Sequence, residues 1–386
     1  VEILDAPKAP PRAAPAKERS RLQELDYLRA YAVGFVVILH VIGAYMGTSP
    51  ELEHFFANTD FGMGVDIFFA ISGFVIAQSL REFWTAQNVP LSTLLSKALV
   101  FYQKRFIRLW PSAAFWLLVS LACAVIWHAN GMWPNLTLAL KGVVSGFVYI
   151  SDFANYKQPT VLGYYWSLAI EWQFYVALPM VLIFFQKNWL RVAVIFAAMT
   201  TSIALTPGGP SWWMFRFDGI VYGVIAYVMF QQVGVVLPRF KTIEHPLGSA
   251  VFTLILLVAI AVIPPAVQPY RIGASYAALL GAVLVSFGAA NRGYISTFGM
   301  KRFVSWLGSR SYTIYLCHFP ALLIGRSVIA HFITVYGAEN PTRPELFASL
   351  ALILALIAIM GELSYRFIEK PSHKASQAIS FRIREG

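Results

Sequence analysis

Arg29 and His40 stand eleven residues apart in DYLRAYAVGFVVILHVIGAY, residues 26–45, an otherwise apolar stretch of membrane-helix length. At about 100° per residue that spacing leaves the two side chains only about 20° apart around a helix, and at about 1.5 Å per residue His40 lies roughly 16 Å deeper. A guanidinium suits phosphate; an imidazole takes and returns a proton. One helix therefore carries an anion-binding group at its edge and a candidate general base inside.

Other ionisable residues lie inside apolar segments: Asp66, Glu171, Asp218, Glu362, Arg216, Arg326, His318 and His331. A central Asp or Arg costs about 2.5–3.5 kcal/mol on insertion scales, so each needs a partner, water or a function. His318 follows Arg310 by eight residues and reaches a depth comparable to that of His40. Asp66, Glu171 and Arg216 start from the opposite side, so the two sets can meet near the midplane. A buried imidazole beside a carboxylate is a general-base arrangement, with Asp66 or Glu171 as the orienting partner of His40. At the other end, Arg105 and Arg108 in YQKRFIRLWP share a helix face with each other and an edge with Arg29.

Plainer readings compete with these. Arginines at a membrane edge also serve as stop-transfer charges against anionic lipid. Glu362 and Arg366, at i,i+4, and Asp26 and Arg29, at i,i+3, have the spacing of local ion pairs. Gly62, Gly64 and Gly73 suit close helix packing. His331 and Arg326 fit a polar seam better than a reaction.

The elements that position these residues follow from composition. The chain has 386 residues, 58% of them hydrophobic and 13% charged, which is far below the charge of a soluble domain. Ten apolar segments can span a bilayer: 27–47, 62–81, 106–129, 165–186, 190–206, 213–233, 247–265, 272–290, 310–336 and 346–368. The expected fold is an all-α, polytopic transmembrane bundle of about ten spanning helices. With the amino terminus inside, 24 Lys and Arg fall on that face and only Lys141, Lys157, Arg271 and Arg343 on the other, so both termini are expected in the cytoplasm. The net charge of +11 thus reports topology rather than nucleic-acid binding. Residues 1–21 read as a flexible cytoplasmic tail without the apolar core of a signal peptide, 22–372 as the membrane domain and 373–386 as a C-terminal tail. The segment LALKGVVSGFVYI, 138–150, has the character of an interfacial stretch. Cys123 and Cys317 lie in apolar segments and offer neither a disulfide framework nor a metal pair, and no metal site is expected. HExxH, GxSxG, P-loop and dinucleotide fingerprints are absent, as is the HxxxxD pattern of glycerolipid acyltransferases.

These pieces, in this order, resemble the acyltransferase 3 family of bacterial inner-membrane proteins over about residues 22–372. The resemblance rests on Arg29 with His40, on GMGVDIFFAISGF at 62–74, RFIR at 105–108 and SLAIEWQFY at 167–175. RFDGIVYG at 216–223, SYTIYLCHFP at 311–320, Glu369 and Pro371 complete it. It implies a multi-pass protein that takes an acyl group, acetyl by default, from cytoplasmic acyl-CoA as co-substrate, with no bound cofactor. The acceptor is then a hydroxyl of an extracytoplasmic carbohydrate or glycolipid. On that footing Arg29, Arg105 and Arg108 hold CoA phosphates, while His40, with Asp66 or Glu171, activates the hydroxyl. Tyr175, Arg216 and His318 contact the acceptor or the thioester carbonyl. Direct transfer and an acyl-histidine are both compatible with these residues. The chain ends just after its last helix, where some members carry a fused SGNH esterase domain, so no such domain is expected here.

Two other classes stay open at this level. A transporter or flippase would use His40, Asp66 and Glu171 as a proton relay. A non-catalytic partner in envelope assembly would need none of them. The one-sided basic cluster favours the enzyme, because a transporter needs comparable ligand contacts on both faces.

Overall fold

The computed structural model describes residues 22–44, 49–86, 89–127, 133–154, 162–185, 191, 194–195, 197, 216–231, 234, 236–336 and 343–382. Among them every regular element is helical. Among the described residues, eight helices are long and apolar enough to cross a membrane. They correspond to eight of the ten segments expected from hydropathy. Segment 190–206 falls almost wholly outside the described residues, and 213–233 contains a shorter apolar helix of 14 residues, Asp218–Gln231.

In chain order, α1 (Gln23–Val37) runs into a π-helical turn, Ile38–Ile42, that carries His40. A short helix, α2 (Pro50–Ala57), capped by the Ser49 hydroxyl, leads to α3 (Gly64–Ser79). The 37-residue α4 (Leu91–Trp127) is about 55 Å long, so its first turns extend past a hydrocarbon core of about 30 Å and bring Arg105 and Arg108 to its edge. Next come α5 (Leu136–Phe147), α6 (Trp166–Phe184), α7 (Asp218–Gln231), α8 (Pro246–Ala266) and α9 (Tyr270–Ala290). The amphipathic α10 (Lys301–Ser309) and α11 (Ser311–Tyr336) precede α12 (Arg343–Ser364). A second π turn, Tyr365–Glu369, then continues into α13 (Lys370–Arg382). The 138–150 stretch lies largely within α5, which packs on α4.

The centre of the bundle is α3. It packs on α1, α7 and α9, and Asp66, Ile67, Ala70, Ile76 and Ala77 on it are wholly buried. Its closest neighbour is α7, because both helices present glycine at the crossing. A Cβ at Gly73 would run into the Ile220 carbonyl, and one at Gly223 into the Ala70 carbonyl. Gly64 makes a similar close approach to the Ala32 carbonyl. Gly62 has another role, since its amide donates to the Asp60 carboxylate at 2.7 Å in the turn before α3.

At the start of α1, the Glu24 carboxylate accepts from the amides of Gly293 (2.6 Å) and Ile295 (2.8 Å) and ties α1 to the loop before α10. Glu362 pairs with Arg366, as its spacing suggests, and also with Arg310 at 2.7 Å, which ties α12 to the junction between α10 and α11. Both cysteines are buried and unbridged.

Candidate active site

The wide, basic end of the bundle opens into a cavity of about 770 Å³ whose wall includes Arg29, Arg81, Arg108, Lys370 and His373. It leads into a narrower cavity of about 120 Å³ between α3, α4, α6 and α11. Arg29, Val75, Arg108, Ser311, Tyr312 and Glu369 line both, so the two are continuous. The sequence singled out Arg29, Arg105 and Arg108, and all three face this system. Arg29 also binds Asp26 at 2.6 Å, the local pair its spacing allowed. Arg81 and Lys370 were not foreseen as lining residues, because Arg81 follows α3 and Lys370 opens α13, so their distance from the cluster in sequence hides their proximity in space.

Glu171 and Tyr175 are one turn apart on α6 and both line the narrow cavity. The Glu171 carboxylate accepts from the Tyr175 and Ser72 hydroxyls. The guanidinium of Arg105 lies 5.1 Å from the centre of the Tyr175 ring and donates to Ser79 Oγ at 3.0 Å. Arg108 is within electrostatic reach of both Glu171 and Glu369. Glu171 is therefore a counter-charge in the basic cavity.

Asp66 and Arg216 form a buried ion pair, 0% and 4% exposed, between α3 and the start of α7. Asp60, Asp218 and Tyr270 surround it, and Tyr270 donates to the Asp60 carboxylate. Neither Asp66 nor Glu171 hydrogen-bonds His40.

The partner of His40 is His318. Nδ1 of His40 is 3.1 Å from Nε2 of His318 and 3.1 Å from the Val36 carbonyl. Nδ1 of His318 is 2.5 Å from the Tyr315 carbonyl. A carbonyl only accepts, so Nδ1 of His318 carries the proton and its neutral Nε2 is an acceptor. His40 must then donate from Nδ1, which leaves its own Nε2 as an unprotonated lone pair with no partner among the described residues. The sequence offered His318 as an acceptor contact; the geometry puts it behind His40. Aromatic rings fix the pair, with Phe319 edge-on to His40 at 5.5 Å and Tyr164 edge-on to His318 at 5.2 Å.

The cavities and the imidazoles meet at Tyr315. It lines the narrow cavity together with Ser167, and its hydroxyl is 2.6 Å from Ser167 Oγ and donates to the Tyr164 carbonyl at 2.9 Å. Its backbone carbonyl holds His318. His40 lines neither cavity and is half-buried. An α-helical wheel aligns it with Arg29 to about 20°, but the π turn is wider than an α turn and changes that phase at His40 itself. Arg326 forms no ion pair among the described residues, and the side chain of His331 lies outside them. No group of three or more His, Cys, Asp or Glu among the described residues could hold a metal.

A model of the acyltransferase domain matches residues 22–362. The chain belongs to the acyltransferase 3 family. It is 28% identical to the peptidoglycan O-acetyltransferase OatA of Listeria monocytogenes serovar 1/2a, over 92% of this chain and 56% of that protein. It is 26% identical to the O-acetyltransferase OatA of Staphylococcus aureus strain NCTC 8325 / PS 47, over 92% of this chain and 57% of that one. The chain thus spans about half the length of the curated relatives it matches. No solved structure matches it.

Proposed function

We propose that this protein O-acylates a cell-wall carbohydrate, moving an acetyl group from cytoplasmic acetyl-CoA to a sugar hydroxyl on the far side of the membrane. The observation that carries the reading is the His318–His40 relay ending in a free Nε2, set beyond a cavity lined by arginines. Family membership supports the reaction class, and the name of the Listeria relative favours peptidoglycan as acceptor. The bias of 24 Lys and Arg to one face supports a cytoplasmic position for the wide cavity.

In this mechanism Arg29, Arg108, Arg81 and Lys370 hold the donor phosphates in the wide cavity. The thioester enters the narrow cavity past Glu171 and Tyr175 and comes to rest at Ser167 and Tyr315. The acceptor hydroxyl reaches Nε2 of His40 from the opposite side. Its oxygen attacks the thioester carbonyl carbon as Nε2 takes its proton, and the charge that develops on His40 is shared through Nδ1 with His318. The C–S bond breaks, the imidazolium returns the proton to the departing thiolate, and the ester and free CoA leave. Asp66 and Arg216 support α3 and α7 around this centre.

The test is acceptor-dependent release of CoA thiol by the purified protein. Wild-type release, absent from His40→Ala at unchanged CoA binding, is the expected outcome. Thiol release by His40→Ala at the wild-type rate would remove His40 from the reaction, and movement of ligand across the membrane without thiol release would favour a transporter. Mass spectrometry of sugar esters in deletion and wild-type envelopes then identifies the acceptor.

A further inference from the structure

The two basic cavities meet at a neck, and the neck contains a carboxylate. Arg29, Arg108, Tyr312 and Glu369 line both cavities, so a ligand reaching from the wide one into the narrow one passes between them. Glu369 closes the π turn that joins α12 to α13. Its Oε2 is buried and has no hydrogen-bond partner among the described residues. Arg108, Arg29 and Arg310 lie within electrostatic reach of it, as does the backbone N–H of Thr313 in the first turn of α11. Positive groups therefore surround a carboxylate that lines the passage and whose Oε2 still has an open lone pair.

That arrangement discriminates between parts of a ligand. A phosphate entering the neck would set its own acceptor oxygens against Oε2, with no proton between them to share, and like charges in a confined, partly desolvated space repel strongly. An N–H or O–H group entering the same place finds an acceptor waiting, and a buried acceptor left unmatched carries a desolvation cost that the new bond relieves. The neck thus fits a neutral, hydrogen-bond-donating stretch of a molecule whose anionic end stays in the wide cavity. In a CoA thioester that stretch is the pantetheine arm, with its amide N–H groups and hydroxyl, lying between the phosphates and the sulfur.

We infer that Glu369 is a positioning residue: it stops the donor's phosphates in the wide cavity and accepts a hydrogen bond from the arm, so that the thioester halts in the narrow cavity. The inference rests on the acyl-CoA reading above. It gives Glu369 a role distinct from the arginines, since it opposes donor affinity while it improves donor placement. The acyl carbon reaches the reacting position only when the arm is held at the right depth.

The experiment measures CoA binding by calorimetry and acetyl transfer by thiol release, on the purified full chain and on Glu369→Gln and Glu369→Asp. Glu369→Gln removes a negative charge beside the phosphate-binding arginines, so CoA should bind about 3–10-fold tighter while kcat falls about tenfold. Glu369→Asp keeps the charge and shortens the reach, so affinity should hold within about twofold while kcat falls. A merely structural role would lower affinity, kcat and melting temperature together. The inference is overturned if Glu369→Gln binds CoA more weakly, or if both constants are unchanged. If Glu369→Gln does not give a monodisperse protein, the aspartate variant decides, and an unchanged kcat there overturns the inference. Wild-type protein that binds no CoA would overturn the donor reading and this inference with it. Wild-type binding with unmoved variants overturns the inference alone.

Discussion

His318 presents Nε2 to Nδ1 of His40 at 3.1 Å while the Tyr315 carbonyl holds its other nitrogen at 2.5 Å. A proton cannot sit on both facing nitrogens of a neutral pair, so this one contact fixes which nitrogen of His40 keeps a free lone pair. Where a carboxylate commonly stands behind an imidazole, a second imidazole does here, itself pinned by backbone. A neutral partner stabilises the imidazolium less than a carboxylate would, but it brings no second charge into an apolar site.

Removing His318 should therefore cost catalysis through His40 and not independently of it. His318→Ala is expected to lower kcat by about 10²-fold, the scale of a misplaced general base, with little change in donor KM. His40→Ala should fall to background, and the double variant should be no worse than His40→Ala, because groups acting as a unit are non-additive. Thiol-release kinetics on the three variants would decide it. A double variant with a further loss would separate the two imidazoles.

The Asp66–Arg216 pair is predicted to act on stability first. Asp66→Asn or Arg216→Met alone leaves a buried charge without its counter-charge, which costs about 3–5 kcal/mol. The double replacement Asp66→Asn with Arg216→Met should recover much of that loss. Melting curves in detergent would show it, and single variants that melt with the wild type would place this pair outside the structural core.

Donor binding should depend on salt, and the dependence should reside in the wide cavity. Arg29→Gln and Arg108→Gln are each expected to weaken CoA binding by about tenfold, the worth of one lost charge-assisted contact. The affinity of wild type should also fall as ionic strength shortens the Debye length to about 3 Å near 1 M. Titrations at several salt concentrations read both effects. A CoA affinity indifferent to salt would remove the arginines from phosphate binding.

The bundle and much of this site are visible in the sequence because each rests on a local signal. Hydropathy marks the long helices, and Glu362 with Arg366 announces its pair by spacing. Arg29, Arg105 and Arg108 announce a common edge by depth. The partner of His40 is not legible in that way. Asp66 and Glu171 are the chemically expected partners, but each is taken by a neighbour nearer in space: Arg216 for Asp66, Ser72 and Tyr175 for Glu171. His318 is 278 positions from His40, and helix packing alone brings the rings together. The π turn at Ile38–Ile42 is equally hidden, since no Pro or Gly inside ILHVI marks it. Glu369 and Lys370 reach the cavity because α12 and α13 continue past the membrane edge and α13 packs back on α4, a tertiary event with no periodic trace.

The glycine crossing of α3 and α7 supplies a last prediction with its own control. A methyl at Gly73 has nowhere to go, because the Ile220 carbonyl belongs to a helix backbone and cannot rotate aside. Gly73→Ala should force the helices apart at a cost of about 1–3 kcal/mol and lower the melting temperature accordingly. Gly34 lies on α1 between Arg29 and His40, and a methyl added there would meet no described atom within 4 Å, so the same change removes only backbone freedom. Gly34→Ala should leave stability unchanged or raise it by up to about 1 kcal/mol, the helix-propensity difference. If both variants melt alike, close packing at Gly73 is not what holds α3 against α7. If Gly73→Ala alone melts early and also loses transfer at intact CoA binding, the α3–α7 contact also sets the position of Ser72 and Glu171 in the narrow cavity.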